Sequence, residues 1–434
     1  MTTTPKGAFD VIGFDAFQAA VEHNTDAAYE QMRDTTPVYQ LPGQNVFLIT
    51  RYNDIVAAAH DIETFSNEFK SPGLALGAGS SQIAEELEAI RATGYPQVST
   101  MLTRDPPAHT RYRRLVGRAF TARRVESWKP VIERVTRELT DQFADAGQAE
   151  IVSAFAVPLP VRVIADALGV PRERERDFKQ WTDDATLAIG ANPSDEGRLA
   201  AARGLAAFQH YFAEQLESRR LNPRDDFLTD LVQAAVALDD ELDDKKPLDT
   251  PEMLNILHQL LVAGNETTTS LIASTLILLV DMPFLQDLLR GEPAAAKDVV
   301  DEALRLTSPA QGMFRVVRRD VTVAGVEIPA GATAILMYAS GNRDATRYEC
   351  PNEFRVDRGA RQHLAFGQGL HYCVGASLSR AEAEFALTHL CQRLSDIHIV
   401  GQPTYKPSFV LSGPRTLQLA YSARPVSTLN QESV

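Results

Sequence analysis

The sequence predicts a mainly α-helical protein with a few short β-regions. Residues 125–250 contain long amphipathic stretches with few runs of β-branched residues, a pattern that favours helix. From Thr250 to about Asp281 the chain is apolar on nearly all sides, which is typical of a buried helix. Residues 27–69 and 313–344 instead contain short alternating segments broken by turn residues, and these indicate strands.

The composition is that of an ordinary globular protein. Of its 434 residues, 44% are hydrophobic and 23% are charged. No segment approaches twenty consecutive apolar residues, and the N-terminus lacks the basic and apolar regions of a signal peptide. We therefore expect a cytoplasmic protein with no membrane anchor.

Charge and cysteine content exclude several classes of protein. The net charge of −14 disfavours binding to nucleic acids or to anionic membranes. The acidic run at 237–246 is interpreted as a solvated loop. The cysteines are odd in number and widely spaced, which argues against a disulfide framework and against a Cys-based zinc or iron–sulfur site. They are Cys350, Cys373 and Cys391. A reducing cytoplasm fits this usage.

The N-terminal region predicts a small β-structure followed by a loop. The strand-like segments 37–41 and 46–50 flank the turn residues P-G-Q-N, which is typical of a β-hairpin. A helix is expected around residues 53–60. Between 71 and 104 the density of Gly, Pro and Ser indicates a mobile loop with a small helix inside it. A plain surface loop is the equal alternative.

A second helix start lies at D-P-P (105–107), where an acidic cap precedes prolines that suit the first turn. His109 and Arg113 lie four residues apart on this helix and share one of its faces. Such a pair can bind an anion through charge-assisted hydrogen bonds. A solvated basic helix is the alternative.

The long apolar helix begins with Thr250 as the expected N-cap and contains an unusual centre, A-G-N-E-T-T (263–268). A glycine inside a helix costs about 1 kcal/mol, and a carboxylate beside threonines is also unfavourable in a buried helix. Departures of this kind often mark a functional site. The alternative is structural, with the Thr hydroxyls bonded to the carbonyl four residues earlier.

The segment 363–378 surrounds Cys373 with small residues. Gly367 and Gly369 predict a tight loop whose backbone N–H groups can point at the sulfur and stabilise a thiolate. The residues after Cys373 have helical periodicity, so the sulfur would lie near a helix N-terminus, which also favours the anion. The alternative is a buried structural thiol.

Four separated patterns resemble the cytochrome P450 family. The pattern F-G-x-G-x-H-x-C-x-G (366–375) is similar to its haem-binding loop, and A-G-x-E-T (263–267) to the oxygen-binding segment of its distal helix. D-P-P-x-H-T-R (105–111) resembles its propionate-binding helix, and E-x-x-R (302–305) resembles its buried structural pair. The resemblance runs from about residue 25 to 422.

This resemblance implies a fold and a cofactor. We expect residues 1–434 to form a single domain, a mainly α-helical body shaped like a triangular prism with small β-sheets. The cofactor would be haem b, placed between the long distal helix and the Cys373 loop. A thiolate ligand favours O–O cleavage at the haem iron.

The resemblance also assigns roles to individual residues. Cys373 would ligate the iron, and Glu266 and Thr267 would relay protons to the bound oxygen. The residues expected to contact the haem, several of them through its propionates, are His109, Arg113, Arg315, His371, Ala263, Gly264, Phe366 and Gly367. Those expected to line the substrate pocket are Gln259, Val262, Gln311 and Val410.

The implied reaction inserts one atom of O2 into a small to medium hydrophobic molecule, while the other atom leaves as water. Electrons would come from a separate ferredoxin and ferredoxin reductase, because no reductase domain follows the cysteine loop. We expect a monomer. Two other classes remain open, namely a haem-binding sensor without catalysis and a peroxide-driven or rearranging haem enzyme.

Two features are left open by the sequence. The family's Glu302–Arg305 pair has a third partner, and here Glu353 occupies the position where arginine often stands, with Arg355 and Arg358 close by. The stretch 111–129 carries seven cations against a single acid and is interpreted as a docking surface for an acidic ferredoxin, with a solvated basic helix as the alternative. The cations are Arg111, Arg113, Arg114, Arg118, Arg123, Arg124 and Lys129.

Overall fold

The computed structural model describes residues 27–69, 83–117, 120–190, 194–234, 248–359, 362–405 and 410–425. Most of this part of the chain is helical. The helices are α1 (27–35), α2 (Tyr52–His60), α3 (Ala84–Ala92), α4 (Ala108–Gly117), α5 (Ala122–Asp141), α6 (Pro158–Ala167), α7 (Glu175–Gly190), α8 (Asp195–Leu221), α9 (Phe227–Ala234), α10 (Thr250–Asp281), α11 (Phe284–Gly291), α12 (Ala296–Thr307), α13 (Tyr338–Gly341) and α14 (Ala376–Arg393).

The strands form small sheets at the edge of the helical body. They are β1 (Val38–Gln40), β2 (Val46–Ile49), β3 (Phe65–Ser66), β4 (Gln148–Glu150), β5 (Met313–Val317), β6 (Val321–Val323), β7 (Val326–Ile328), β8 (Thr333–Leu336), β9 (Leu394–Ile399), β10 (Thr404–Tyr405), β11 (Pro414–Thr416) and β12 (Gln418–Ala423). The largest sheet has the order β1-β2-β8-β5-β3, and a three-stranded sheet has the order β4-β12-β9. The antiparallel pairing of β1 with β2 confirms the predicted hairpin.

Helix α10 organises the core. Its apolar residues between 253 and 261 belong to one buried cluster, and those between 271 and 279 belong to another. The two clusters are separated by the stretch around 263–267, where Ala263 and Gly264 are exposed. The unusual centre predicted from the sequence therefore coincides with a gap in the packing of this helix.

The start of α10 differs by one residue from the prediction. Asp249, and not Thr250, is the N-cap, because its carboxylate accepts the backbone N–H of Glu252 at 3.0 Å. The Glu252 carboxylate accepts the Asp249 N–H in return at 2.8 Å, which completes a capping box. The helix ends at Asp281 as predicted, immediately before Met282 and Pro283.

Parts of several predictions lie outside the described residues. These parts are residues 71–82 of the expected mobile loop, the acidic run 237–246, and Arg118. Helix α3 is the small helix expected within 71–104. By length and composition no single described helix could span a membrane, although α10 and α11, joined at a bend of 112°, pass the same test as a pair.

Candidate functional site

Cys373 and the centre of α10 face open space within the protein interior. The Cys373 side chain is exposed, as are Ala263 and Gly264. A hydrogen bond of 3.0 Å between the hydroxyls of Thr268 and Ser379 ties α10 to α14, and α14 begins three residues after Cys373. The thiol and the central stretch of α10 therefore both present accessible surface near this contact between the two helices.

The loop before Cys373 depends on glycine. Gly367 and Gly369 have φ values of +73° and +72°, a region that side chains rarely adopt. A Cβ atom at Gly369 would also lie 2.6 Å from the carbonyl oxygen of Ala59. The Cys373 N–H donates to the Phe366 carbonyl at 2.9 Å, which closes the loop and fixes the direction of the thiol.

Some groups around the Cys373 sulfur raise the pKa of its thiol, and others lower it. Although the thiol has accessible surface, the protein that surrounds it raises the pKa of the thiol, because the charged form loses part of its hydration. Backbone N–H groups of Gly375 and Ala376, at the start of α14, lower that pKa by hydrogen bonding to the sulfur. The expected helix N-terminus is confirmed, but the donors follow the cysteine instead of coming from the glycines before it.

Two histidines and two arginines meet beside this loop. The rings of His109 and His371 lie 4.2 Å apart, and Nδ1 of His109 and Nε2 of His371 are buried without a hydrogen-bond partner. Burial lowers the pKa of His371 to about 3, with His109, Arg315 and Arg113 adding to the effect. An oxygen of the Asp105 carboxylate lies 4.0 Å from His371 Nε2, beyond hydrogen-bond distance.

This cluster is rich in donors and poor in acceptors. Buried polar atoms without partners are costly, so the orphaned nitrogens of His109 and His371 fit a ligand that brings acceptor oxygens. Arg113 and Arg315 would supply charge-assisted bonds to carboxylates. Together with the nearby thiol, the residues present fit a haem with its two propionates.

The threonine at the centre of α10 forms the bond anticipated by the structural alternative. The Thr267 hydroxyl donates to the Ala263 carbonyl at 2.8 Å, four residues back. Glu266 is half-buried on the same stretch. Asn265 points elsewhere, since it is 4% exposed and its Nδ2 lies 3.4 Å from the Thr182 hydroxyl on α7. Glu266 and Thr267 thus lie on the same stretch of α10 as the exposed Ala263 and Gly264, while Asn265 lies against a neighbouring helix.

The four predicted pocket residues fall into two groups. Gln259 and Val262 are half-buried on α10, and Gln259 Oε1 is buried with no partner. Gln311 and Val410 contact each other through a backbone hydrogen bond of 2.7 Å. Gln311 lines a cavity of about 450 Å³ beside the C-terminal half of α10, and Tyr29 forms part of its wall.

The Gln311 amide is already engaged by protein groups. Its Nε2 donates to the carbonyls of Thr307 and Ser308 at 3.2 and 2.7 Å. Its Oε1 accepts the hydroxyl of Tyr29 at 3.3 Å. The side chain is therefore held in place on both sides, in contrast to that of Gln259.

The Glu302–Arg305 pair is buried, as its resemblance to the family's buried pair implies. The two side chains are 1% and 0% exposed and are joined at 2.7 and 2.9 Å. Arg358 is the third partner, with its Nε 2.9 Å from Glu302 Oε1. Arg355 contributes only its backbone N–H to that carboxylate, and Glu353 only a carbonyl to Arg305.

Sequence reasoning missed a second charged group behind the cysteine loop. Arg380 stacks 4.5 Å from the centre of the Phe366 ring, and its Nε donates to Asp301 at 2.6 Å. The Arg380 guanidinium lowers the pKa of the Cys373 thiol, although less than burial raises it. The sequence held one signal for this group, because Arg380 lies seven residues, or about two helical turns, after Cys373.

The basic stretch 111–129 contains fewer free cations than its composition suggests. Arg111 is 5% exposed and donates both terminal nitrogens to Glu252. Arg124 pairs with Asp225 and Asp230. Lys129 pairs with Glu126. Among the described cations of this stretch, Arg123 is exposed.

Comparison with known proteins identifies the class. The family model "Cytochrome P450" matches residues 200–418. The chain belongs to the cytochrome P450 family, whose members are haem-thiolate enzymes, and is an oxidoreductase of the monooxygenase type. The predicted fold class, mainly α with small β-sheets, is confirmed by the architecture and by this family.

Individual relatives are bacterial. Cytochrome P450 107B1 from Saccharopolyspora erythraea is 36% identical over 403 residues, covering 91% of this chain and 93% of the relative. The 6-deoxyerythronolide B hydroxylase from the same organism is 34% identical and covers 91% and 92%. The solved structure of cytochrome P450 CYP109Q5 from Chondromyces apiculatus superimposes with a TM-score of 0.80 at 35% identity, covering 93% and 97%.

Proposed function

We propose that this protein binds haem b and hydroxylates a small to medium hydrophobic molecule, using O2 and electrons from a separate ferredoxin and ferredoxin reductase. One observation carries the proposal. The exposed thiol of Cys373 lies in a glycine-containing loop at the N-terminus of α14, and an acceptor-poor cluster of His109, His371, Arg113 and Arg315 lies beside it.

Each element of the site has a defined task. Cys373 would ligate the iron, and the histidine–arginine cluster would hold the propionates. When bound, the haem supplies the activation of O2. Ala263 and Gly264 leave room at the proposed haem site, since a Cβ at Gly264 would meet nothing within 4 Å. Glu266 and the Thr267 hydroxyl, on the same stretch of α10, would hold and pass protons there.

The substrate class is inferred from the name of one relative and from the residues of α10 beside the proposed haem site. One relative is named for hydroxylating 6-deoxyerythronolide B. The accessible stretch of α10 is apolar, since it consists of the half-buried Val262 and the exposed Ala263 and Gly264. A largely hydrophobic substrate suits such a surface, because its burial releases water from apolar area.

Turnover with different oxidants tests the proposal. Purified enzyme should consume NAD(P)H and convert its substrate only when ferredoxin and ferredoxin reductase are supplied with O2. Turnover with hydrogen peroxide alone should be slow. Efficient turnover with peroxide but none with the redox proteins would indicate the peroxide-driven class, and a reduced, CO-bound thiolate spectrum without any turnover would indicate a sensor.

Replacing Thr267 with alanine is expected to uncouple the reaction. Substrate affinity should stay at the wild-type value, because the change removes only the hydroxyl that holds a proton at the proposed haem site. Electrons from NAD(P)H should then be diverted to hydrogen peroxide. The measurement is the ratio of product to NAD(P)H consumed.

Thr275 provides the matched control. It lies on the same helix and makes the same type of bond, from its hydroxyl to the Leu271 carbonyl at 2.7 Å, but it is fully buried. Thr275→Ala should keep the wild-type coupling. If Thr267→Ala also kept it, the proposed role of Thr267 would be wrong.

The proposed docking of an acidic ferredoxin on the stretch 111–129 rests on Arg123, the exposed cation among those described there. This residue lies at the start of α5, which packs on α14 behind the cysteine loop. Arg123→Glu is expected to slow reduction by an acidic ferredoxin at low salt and to flatten the salt dependence of that rate. Stopped-flow reduction measures both. Arg176→Glu, the same change at an exposed position on α7, is the control, and equal rates in the two variants would count against the surface.

A further inference from the structure

A largely buried ion pair lies behind the cysteine loop. Arg380, in the second turn of α14, donates its Nε to an oxygen of Asp301 on α12 at 2.6 Å, and the two side chains are 19% and 4% exposed. The Arg380 guanidinium lies 4.5 Å from the centre of the Phe366 ring. Since the Phe366 carbonyl accepts the Cys373 N–H at 2.9 Å, the cation packs on the residue to which the cysteine is hydrogen-bonded.

A neutral histidine lies against the same carboxylate. His363 is 2% exposed, and its Nδ1 accepts the Ala365 N–H at 3.2 Å, so the proton of the neutral ring is on Nε2. That nitrogen lies 3.6 Å from Asp301 Oδ1, which is longer than a hydrogen bond. Burial lowers the pKa of His363, so the ring carries no charge at neutral pH. Asp301 and Arg380 are therefore the charged members of this group.

The charge of Arg380 acts on the Cys373 sulfur. Loss of hydration raises the pKa of that thiol, the Gly375 N–H lowers it, and the charges of Arg113 and Arg380 lower it further. The two arginines differ in their partners. Arg113 is the arginine proposed above to bind a haem propionate, whereas Arg380 has its counter-ion, Asp301, within the protein. The net charge beside the sulfur therefore depends on the balance between Asp301 and Arg380.

We propose that Asp301 and Arg380 form a charge pair that sets the reduction potential of the iron ligated by Cys373. The inference rests on the proposed function and concerns one step of it, the transfer of one electron from ferredoxin to the ferric iron. Ferric iron carries one more positive charge than ferrous iron, so a nearby cation favours the reduced state and a nearby anion favours the oxidised state. Both side chains act through the cysteine loop, as positioning residues and not as ligands of the haem.

Equilibrium redox titration of the haem-loaded protein tests the pair. Arg380→Met removes the cation and should lower the reduction potential. Asp301→Asn removes the anion, while its amide oxygen can still accept the Arg380 Nε–H, and it should raise the potential. We expect each change to alter the ratio of ferrous to ferric protein about tenfold at a fixed potential, which is about 59 mV for a one-electron couple. Shifts in the same direction, or a variant that binds haem and shows no shift, would overturn the inference.

Two further variants separate charge from packing. Arg380→Lys keeps the positive charge and should keep the wild-type potential. The double variant Arg380→Met/Asp301→Asn leaves neither charge unpaired and should return close to the wild-type potential. A potential in Arg380→Lys as low as that in Arg380→Met would contradict the role of the charge. If only one single variant binds haem, the direction of its shift decides. If neither binds haem, the pair is structural and the inference is wrong.

Arg290 supplies the matched control. It lies on α11, which also packs on α14, and its side chain is 22% exposed. Its Nε donates to the Cys391 carbonyl at 3.1 Å, in the C-terminal part of α14. Arg290→Met removes a cation of similar burial from the same helix contact and should keep the wild-type potential.

Reduction kinetics distinguish the charge pair from a docking contact. If Arg380 served only to bind ferredoxin, Arg380→Met would slow reduction by ferredoxin at low salt and leave the equilibrium potential unchanged, and this result would overturn the inference. Absence of a thiolate-type CO spectrum in the wild type would instead contradict the haem assignment on which the proposed function depends. A normal CO spectrum with unchanged potentials would overturn the charge pair alone.

Discussion

Replacing Cys373 with alanine is expected to abolish the haem-thiolate spectrum and all turnover. The thiol is exposed in its loop, and two backbone N–H groups, from Gly375 and Ala376, are directed at its sulfur. No other side chain on that loop would replace the thiolate in this position. The reduced, CO-bound absorption spectrum and product formation measure the loss.

The chain provides a control for this experiment. Cys350 is also a free, exposed cysteine, and it lies outside the cysteine loop. Cys350→Ser should keep both the spectrum and the activity. A Cys373→Ala protein with an unchanged spectrum would require another iron ligand and would contradict the assignment of Cys373.

Features encoded by neighbouring residues could be predicted from the sequence. The cysteine loop is a contiguous motif whose glycines determine the backbone, so Gly367 and Gly369 were sufficient to predict a tight turn. The long helix and the hairpin of β1 and β2 likewise follow from local periodicity and turn residues. The fold class was predictable for the same reason.

Features that depend on distant partners could not be predicted. The sequence suggests that Arg111 is a surface cation, but in the fold it contacts Glu252, which is 141 residues away in the chain. Gln311 resembled Gln259 as a pocket amide, but Tyr29, 282 residues away, accounts for its oxygen. A side chain's hydrogen-bond partners are set by tertiary packing, which composition and spacing along the chain do not contain.

The second large effect is expected from replacing Arg358, the third member of the buried Glu302–Arg305 group. Arg358 Nε lies 2.9 Å from Glu302 Oε1, and its Nη2 donates to the carbonyls of Cys350 and Glu353 at 3.1 and 3.0 Å. Arg358→Met would remove one donor from each of these carbonyls and, among the described residues, would leave Glu302 with Arg305 as its only side-chain partner. We expect a loss of about 3 kcal/mol in the free energy of unfolding, the lower end of the range for broken buried pairs.

Arg355 is the second arginine that the sequence offered as a third partner of Glu302, so it serves as the control for Arg358. Its side chain is 38% exposed and reaches Glu349 and Asp357 only at 3.6 and 3.5 Å, while its contact with Glu302 is through the backbone. Arg355→Met should therefore leave the free energy of unfolding close to the wild-type value. Urea unfolding of the haem-loaded proteins compares the two variants. Similar midpoints for Arg358→Met and Arg355→Met would mean that the buried carboxylate does not depend on the Arg358 guanidinium.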